Sequence, residues 1–218
     1  SLHGERETMK LGILMLDNAF ERYPGDVGNP ATWSIPIVTR KIKGATTERA
    51  TTLDDDSFLE AFIAAGHELV ADGATAITTS CGFLAIYQKE LARRLPVPVA
   101  TSSLLQIATV ERLLPPGKRA GVVTFNGKSL GRRHLEGVGA PLDTPIVGLP
   151  EGGRFRSALL GDPTGDSYTG REREAVASAR KLAAAHPEVA ALVLECTNLV
   201  PHSAAMHDAV RLPVYDFM

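Results

Sequence analysis

The chain has little cysteine, little aromatic content and almost no net charge. Among its 218 residues are two cysteines, one tryptophan and 6% aromatic residues, and its formal net charge is −2. So few cysteines argue against a small disulfide-stapled secreted domain, and the charge argues against a nucleic-acid partner. No apolar run approaches the roughly 20 residues that a membrane-spanning helix needs, and residues 1–10 lack the apolar segment of a signal peptide. We therefore expect a cytoplasmic protein with free thiols and no membrane partner.

The two cysteines stand at similar places in the chain. Cys81 and Cys196 each follow a short, β-branched apolar run that has the length of a buried strand. Because ligands bind at the carboxyl ends of parallel strands, two thiols at two strand ends suggest a paired acid and base. Alternatively each is an inert core residue, since free cysteine is often buried. No His or Cys lies at ligand spacing from either thiol, so we expect no metal site.

Apolar runs alternate with helical periodicity along the chain, and this pattern predicts parallel sheets covered by helices. The predicted strands are 11–16, 33–42, 74–79, 97–100, 120–124, 145–149, 189–195 and 213–217, and the predicted helices are 54–70, 83–95, 104–114, 130–136, 172–185 and 203–210.

The order of these elements repeats once. Asp17 and Cys81 are 64 residues apart, and Asn126 and Cys196 are 70 apart. We predict an α/β fold of two pseudo-symmetric lobes, each a short, mostly parallel sheet flanked by helices, with the active site in the cleft between them. The first lobe would comprise residues 9–105 together with 201–218, whose last strand returns to the first sheet. The second would comprise residues 106–200.

Two segments carry a family resemblance. Residues 78–84 (TTSCGFL) and 194–198 (LECTN), with Asp17 after the first strand, resemble the cofactor-independent aspartate/glutamate racemase superfamily, which also contains hydantoin racemases, maleate isomerases and arylmalonate decarboxylases. The resemblance implies one catalytic cysteine from each lobe, Cys81 and Cys196, facing one substrate. It also implies no cofactor, a small carboxylate or cyclic amide as substrate, and a possible homodimer.

The chain departs from the glutamate racemases beside both cysteines. Those enzymes typically have Cys-Asn-Thr and Cys-Thr-His, whereas this chain has Cys-Gly-Phe at 81–83 and Cys-Thr-Asn at 196–198. Polar side chains that would hold an amino acid are therefore missing. A substrate other than free glutamate is expected.

Further candidate site residues follow the predicted strands. They could bind the substrate carboxylate or line the cleft, and they are Asp17, Asn29, Ser80, Gly82, Phe83, Ser102, Thr124, Asn126, Thr197 and Asn198. The alternative for the Ser, Thr and Asn residues is capping of the next helix. For Asp17 it is an Asx-turn, and for Asn29 it is a purely structural place in a surface loop.

The expected chemistry is racemisation or epimerisation by proton transfer at the α-carbon of the substrate. One cysteine would act as a thiolate and the other as a thiol, and a helix starting near Phe83 would lower the pKa of Cys81. Two alternatives remain open at this point. One is an enzyme like maleate isomerase or arylmalonate decarboxylase that uses one cysteine, and the other is a non-catalytic small-ligand binding protein.

Overall fold

The computed structural model describes residues 9–218, which form two parallel sheets of four strands each. The first sheet has the order β2-β1-β3-β4 and the second has the order β6-β5-β7-β8. The strands are β1 (Leu11–Met15), β2 (Ile37–Lys41), β3 (Ala76–Thr79), β4 (Val99–Ala100), β5 (Arg119–Thr124), β6 (Ile146–Gly148), β7 (Val189–Leu194) and β8 (Val214–Tyr215). Every strand pair is parallel, as the alternation of strands and helices predicts.

Helices connect the strands and cover the sheets. The α-helices are α1 (Thr47–Thr51), α2 (Leu59–Ala71), α3 (Gln88–Arg94), α4 (Ile107–Leu113), α5 (Arg132–Val138), α6 (Arg154–Leu159), α7 (Tyr168–Ala185) and α8 (Ser203–Val210). The predicted helices at 83–95 and 104–114 each divide into a 3₁₀ segment, Gly82–Tyr87 or Ser103–Gln106, and a following α-helix. Within residues 9–218, none of the helices combines the length and the hydropathy that a bilayer crossing requires.

The two sheets are internal copies of one arrangement, which confirms the predicted two-lobed α/β architecture. In both, the first strand lies between the second and the third, and the fourth occupies the edge beside the third. β3 and β7 are therefore equivalent, and each is followed by a six-residue 3₁₀ segment, Gly82–Tyr87 or Thr197–His202.

The last strand lies in the second sheet, and the expectation that it returns to the first sheet is wrong. β8 pairs with β7 in the second sheet, through Leu192 with Val214 and Val193 with Tyr215, and it does not return to the first. The equivalent edge of the first sheet is already occupied by β4. The edge beside β7 is the open one, so the main-chain groups of β8 find their partners there. Residues 214–215 thus extend the second lobe.

The central strands form the core between the helical layers. Val122 and Val123 of β5 and residues 191–194 of β7 are fully buried. A strand buried on both faces has to be apolar at consecutive positions rather than at alternate ones. The continuous apolar runs of the sequence therefore lead to central strands, and their carboxyl ends bring the cysteines to the junction of the lobes.

Candidate active site

The two cysteines line one small cavity between the lobes. Cys81 follows β3 and Cys196 follows β7, and each is the residue that precedes a 3₁₀ segment. Their exposed fractions are 7% and 6%. The cavity, which we call the chamber, has a volume of about 20 Å³, enough for one water molecule. It is lined by Leu16, Asn18, Phe20, Thr47, Thr51, Ser80, Cys81, Phe83, Phe125, Leu159, Glu195, Cys196 and Asn198. The structure thus brings both predicted catalytic residues together.

A larger cleft lies outside the chamber. It has a volume of about 550 Å³ and is formed by residues 17–21, 46–48 and 158–161 with Pro163 and Asp166. Asn18, Phe20, Thr47 and Leu159 line both the cleft and the chamber. The chamber and the outer cleft therefore adjoin at these four residues.

A chain of polar contacts holds Cys196. The Cys196 thiol donates a hydrogen bond of 3.4 Å to Asn198 Oδ1, and Asn198 Nδ2 donates to Asp26. Asp26 is 1% exposed and pairs with Arg22 at 2.8 Å. Since Asp26 can only accept, it fixes the Asn198 amide with its oxygen toward the thiol. An acceptor facing the sulfur favours the protonated thiol.

Glu195 is a buried carboxyl group in the same chamber. It is 1% exposed, and its Oε2 accepts hydrogen bonds from the Thr124 hydroxyl at 2.6 Å and the Phe125 N–H at 3.3 Å. Burial raises the pKa of Glu195 to about 7, against the opposing effect of Thr124 and of the main-chain N–H groups of Phe125, Phe83 and Gly82. This carboxyl therefore changes charge near neutral pH.

Burial favours the protonated form of both thiols. Burial raises the pKa of Cys81 and of Cys196, and the nearby Glu195 carboxylate raises both further. The main-chain N–H groups of Phe83 and Leu84 act in the opposite direction on Cys81. The predicted helix start does favour the Cys81 thiolate, but burial outweighs it, so the expectation of a lowered pKa is wrong.

Several predicted side chains already have protein partners. The Ser80 hydroxyl accepts from the Leu16 N–H at 3.0 Å, and the Thr197 hydroxyl donates to the Ser80 carbonyl at 3.0 Å, which joins the two lobes. The Thr124 hydroxyl is bound to Glu195. Ser80 and Asn198 line the chamber, and Thr124 and Thr197 support its walls from behind.

Gly82 has a structural reason to lack a side chain. A Cβ atom at this position would overlap the main-chain oxygen of Glu195 and would come within 2.7 Å of Glu195 Oε1. Phe83 forms part of the chamber wall and packs edge-on against His134. The glycine after the first cysteine is therefore required by the close approach of the main chain at position 195, directly before the second cysteine.

Four predicted residues are not brought to the chamber. Asn29, Ser102 and Asn126 each accept a hydrogen bond from the main-chain N–H two residues ahead, at 2.8, 3.2 and 3.1 Å. They shape turns and 3₁₀ starts, which is the alternative for these residue types. Asp17 accepts from the Gly44 N–H at 2.8 Å and lines the outer cleft.

The sequence reasoning missed three charged site residues: Arg22, Asp26 and Glu195. Glu195 could have been found, because a charged residue at the end of an otherwise apolar run needs a special environment if it is buried. Asp26 stands among turn residues, and its contact with Asn198 joins positions 172 residues apart. No local pattern reveals such a contact.

Solved structures share this two-lobed fold. An arylmalonate decarboxylase mutant with sulfate matches with a TM-score of 0.64 at 15% identity, covering 94% of this chain and 86% of that one. The glutamate racemase of Aquifex pyrophilus matches with a TM-score of 0.54 at 18% identity, covering 95% and 79%. The aspartate racemase of Picrophilus torridus matches with a TM-score of 0.53 at 14% identity, covering 95% and 88%. The chain has the fold of the Asp/Glu racemase superfamily.

The curated proteins that this chain resembles in sequence are named dimethylsulfoniopropionate lyases. The chain is 34% identical to dimethylsulfoniopropionate lyase 3 of Emiliania huxleyi (strain CCMP1516) over 94% of its own length and 56% of the relative. It is 29% identical to a dimethylsulfoniopropionate lyase of Durusdinium sp. clade D over 94% of its own length and 70% of the relative. The chain spans 44% to 70% of the length of the curated relatives it matches. No protein-family model matches it. The racemase-superfamily fold thus occurs here with similarity to proteins named as lyases.

Proposed function

We propose that this chain is a lyase that removes a leaving group from the β-carbon of a small carboxylate, with dimethylsulfoniopropionate as the first substrate to test. The observation that carries the proposal is that both cysteines, each nearly completely buried, line one small chamber. Sequence similarity to dimethylsulfoniopropionate lyases supports the choice of substrate.

The proposed reaction begins at the α-carbon. A cysteine thiolate takes the α-proton, and the electron pair of the broken C–H bond forms the double bond to the β-carbon. The C–S bond to the β-carbon breaks, and its electron pair leaves with the sulfur. Acrylate and dimethyl sulfide are the products, and the proton stays on the cysteine until water removes it. The near-complete burial of both cysteines strengthens electrostatic interactions at the site because it limits the access of water.

Cys81 is the cysteine better placed to act as the base. The N–H groups of Phe83 and Leu84 favour its thiolate, whereas Asn198 Oδ1 accepts the proton of Cys196 and favours its thiol. In this assignment Cys196 lies beside the reacting carbon in its protonated form. It would be the acid if the α-carbon were to be reprotonated.

The test is release of dimethyl sulfide, measured by gas chromatography of the headspace over dimethylsulfoniopropionate. We expect Cys81→Ser to lower kcat at least a hundredfold, because a hydroxyl is a far poorer base than a thiol near neutral pH. Thr144→Ser, a matched conservative change at a residue outside the chamber lining, should keep full activity. No release by the wild-type protein, or full release by Cys81→Ser, would contradict the proposal.

A second function is favoured by the presence of one cysteine from each lobe. This is cofactor-independent racemisation or epimerisation of a small carboxylate or hydantoin-type substrate, with Cys81 and Cys196 exchanging acid and base roles. In heavy water it would place deuterium at the α-carbon without release of a leaving group, and each single replacement would abolish it. A one-cysteine isomerase or decarboxylase would tolerate one of the two replacements. A binding protein would turn over nothing while a bound carboxylate raised its Tm.

A further inference from the structure

Three ionisable groups share the chamber, and none of them forms an ion pair with a cation among residues 9–218. Cys81, Cys196 and Glu195 all line it and are all nearly completely buried. Within residues 9–218 the most deeply buried ion pairs are Arg22–Asp26 and Arg171–Asp166, and neither includes Glu195.

The charged neighbours of the chamber balance each other. Arg22 lies near enough to favour the Cys81 thiolate, and Asp26 lies near enough to oppose the Cys196 thiolate. Since Arg22 and Asp26 are bound to each other at 2.8 Å, the loop that carries them adds almost no net charge. The segment after β5 contributes only the neutral donors Thr124 and Phe125 N–H. The charge inside the chamber is therefore decided by the two thiols and Glu195.

Two negative charges in this chamber would repel each other strongly. Cys81, Cys196 and Glu195 are nearly completely buried, so solvent screens such charges weakly, and the interaction of like charges rises steeply as the effective dielectric constant falls. One negative charge is tolerated, because the Glu195 carboxylate accepts hydrogen bonds from Thr124 and Phe125 of the second lobe. The main-chain N–H groups of Gly82 and Phe83, from the first lobe, also favour its ionised form. A thiolate and an ionised Glu195 should therefore exclude one another.

We propose that Glu195 and the two thiols share a single negative charge, and that Glu195 takes up the proton that a thiol gives up. In this step the S–H bond of the cysteine breaks and an O–H bond forms on the Glu195 carboxylate. The net charge of the chamber does not change. Glu195 thus acts on the substrate only through the cysteines, and its effect is to let a thiolate form without a second buried charge.

This coupling has a signature in the reactivity of the thiols. Burial raises the pKa of Glu195 to about 7. Below pH 7 the thiolate fraction should rise about tenfold per pH unit. Above pH 7 Glu195 is ionised, and a thiolate then forms only when the cysteine passes its proton to Glu195. Because this exchange releases no proton to the solvent, the thiolate fraction should level off. In the Glu195→Gln variant no carboxylate competes with the thiols for the negative charge, so the thiolate fraction should keep rising with pH. The variant should have about twice the wild-type thiolate fraction at pH 7 and about tenfold more at pH 8.

The experiment measures the rate of iodoacetamide labelling of each cysteine from pH 5.5 to 9, with the labelled peptide identified by mass spectrometry. Wild type should level off near pH 7, and Glu195→Gln should continue to rise. Glu172→Gln removes a carboxylate outside the chamber lining and should retain the wild-type profile. Thr124→Val removes a donor to ionised Glu195, so its labelling should level off at a higher pH than in wild type.

Three results would overturn the proposal. The first is a wild-type rate that rises tenfold per pH unit through pH 9, parallel to Glu195→Gln. The second is a Thr124→Val profile identical to that of wild type. The third is no labelling of either cysteine at any pH. The wild-type profile alone decides the main point if Glu195→Gln does not fold. Labelling uses no substrate, so its outcome is distinguishable from failure of the proposed lyase reaction.

Discussion

Replacing Gly82 by alanine tests whether the closed geometry of the chamber is correct. A Cβ atom at position 82 would lie 2.7 Å from Glu195 Oε1 and 2.9 Å from Glu195 Cγ, and closer still to the Glu195 main-chain oxygen. Normal contacts between such atoms begin near about 3.5 Å. The side-chain atoms can rotate away, but the oxygen belongs to the end of β7 and cannot move without the strand.

The cost of this overlap follows from the rigidity of the two elements. Overpacking a well-packed core by one methyl group costs about 1–3 kcal/mol, and we expect Gly82→Ala to lie at the upper end, near 3 kcal/mol. Gly131→Ala is the matched control, because its Cβ atom would meet nothing nearer than 3.9 Å and should change stability by about 1 kcal/mol or less.

The assay is the free energy of unfolding in urea at 25 °C, measured together with the labelling rate of Cys81. Glu195→Ala should not rescue Gly82→Ala, because the nearest atom is main-chain oxygen. If Gly82→Ala were as stable as wild type, the close approach of Gly82 to the strand end before Cys196 would be refuted.

Two further predictions concern buried charge. Asp26→Asn should lower the free energy of unfolding by about 3 kcal/mol, because it leaves the Arg22 guanidinium without its buried partner. Urea unfolding at low and high salt measures this change, and a loss below about 1 kcal/mol would contradict the prediction. His202 is fully buried against Phe155 and Tyr168, and burial lowers its pKa to about 4. The unfolded chain therefore binds this proton more readily, so wild type should lose about 3 kcal/mol between pH 6.5 and pH 4. His202→Phe should lack that share of the loss, and identical pH profiles of the two proteins would show that the imidazole is hydrated.

The sequence predicts the parts of the fold that depend on strong local patterns. The apolar runs before Cys81 and Cys196 lead to the two third strands, and their equivalence in the two sheets is already visible in the spacing of 64 and 70 residues. A strand that is buried on both faces favours an apolar, β-branched run, and such a run can be found in the sequence without knowledge of distant contacts.

The parts that the sequence does not reveal depend on contacts between distant residues. β8 is two residues long, too short for its pattern to indicate which sheet it joins. The helix α6 (Arg154–Leu159) was not predicted, because six residues give less than two turns of periodicity. Glu195 packs closely against Gly82 of the other lobe, where a side chain would overlap it. A contact between residues that are so far apart in the chain leaves no local pattern in the sequence.

The size of the chamber constrains how any substrate reaches the cysteines. Dimethylsulfoniopropionate is several times larger than the one water molecule that the chamber accommodates, while the outer cleft of about 550 Å³ is in the range of small-molecule sites. In the described part of the chain, four residues are common to both linings: Asn18, Phe20, Thr47 and Leu159. Three of the four come from the first lobe and Leu159 ends α6 in the second. A separation of the lobes that moves Leu159 away from the three first-lobe residues would therefore widen the passage between the two adjoining cavities. Closure after binding would return the thiols to the dry surroundings in which a single shared charge can be held.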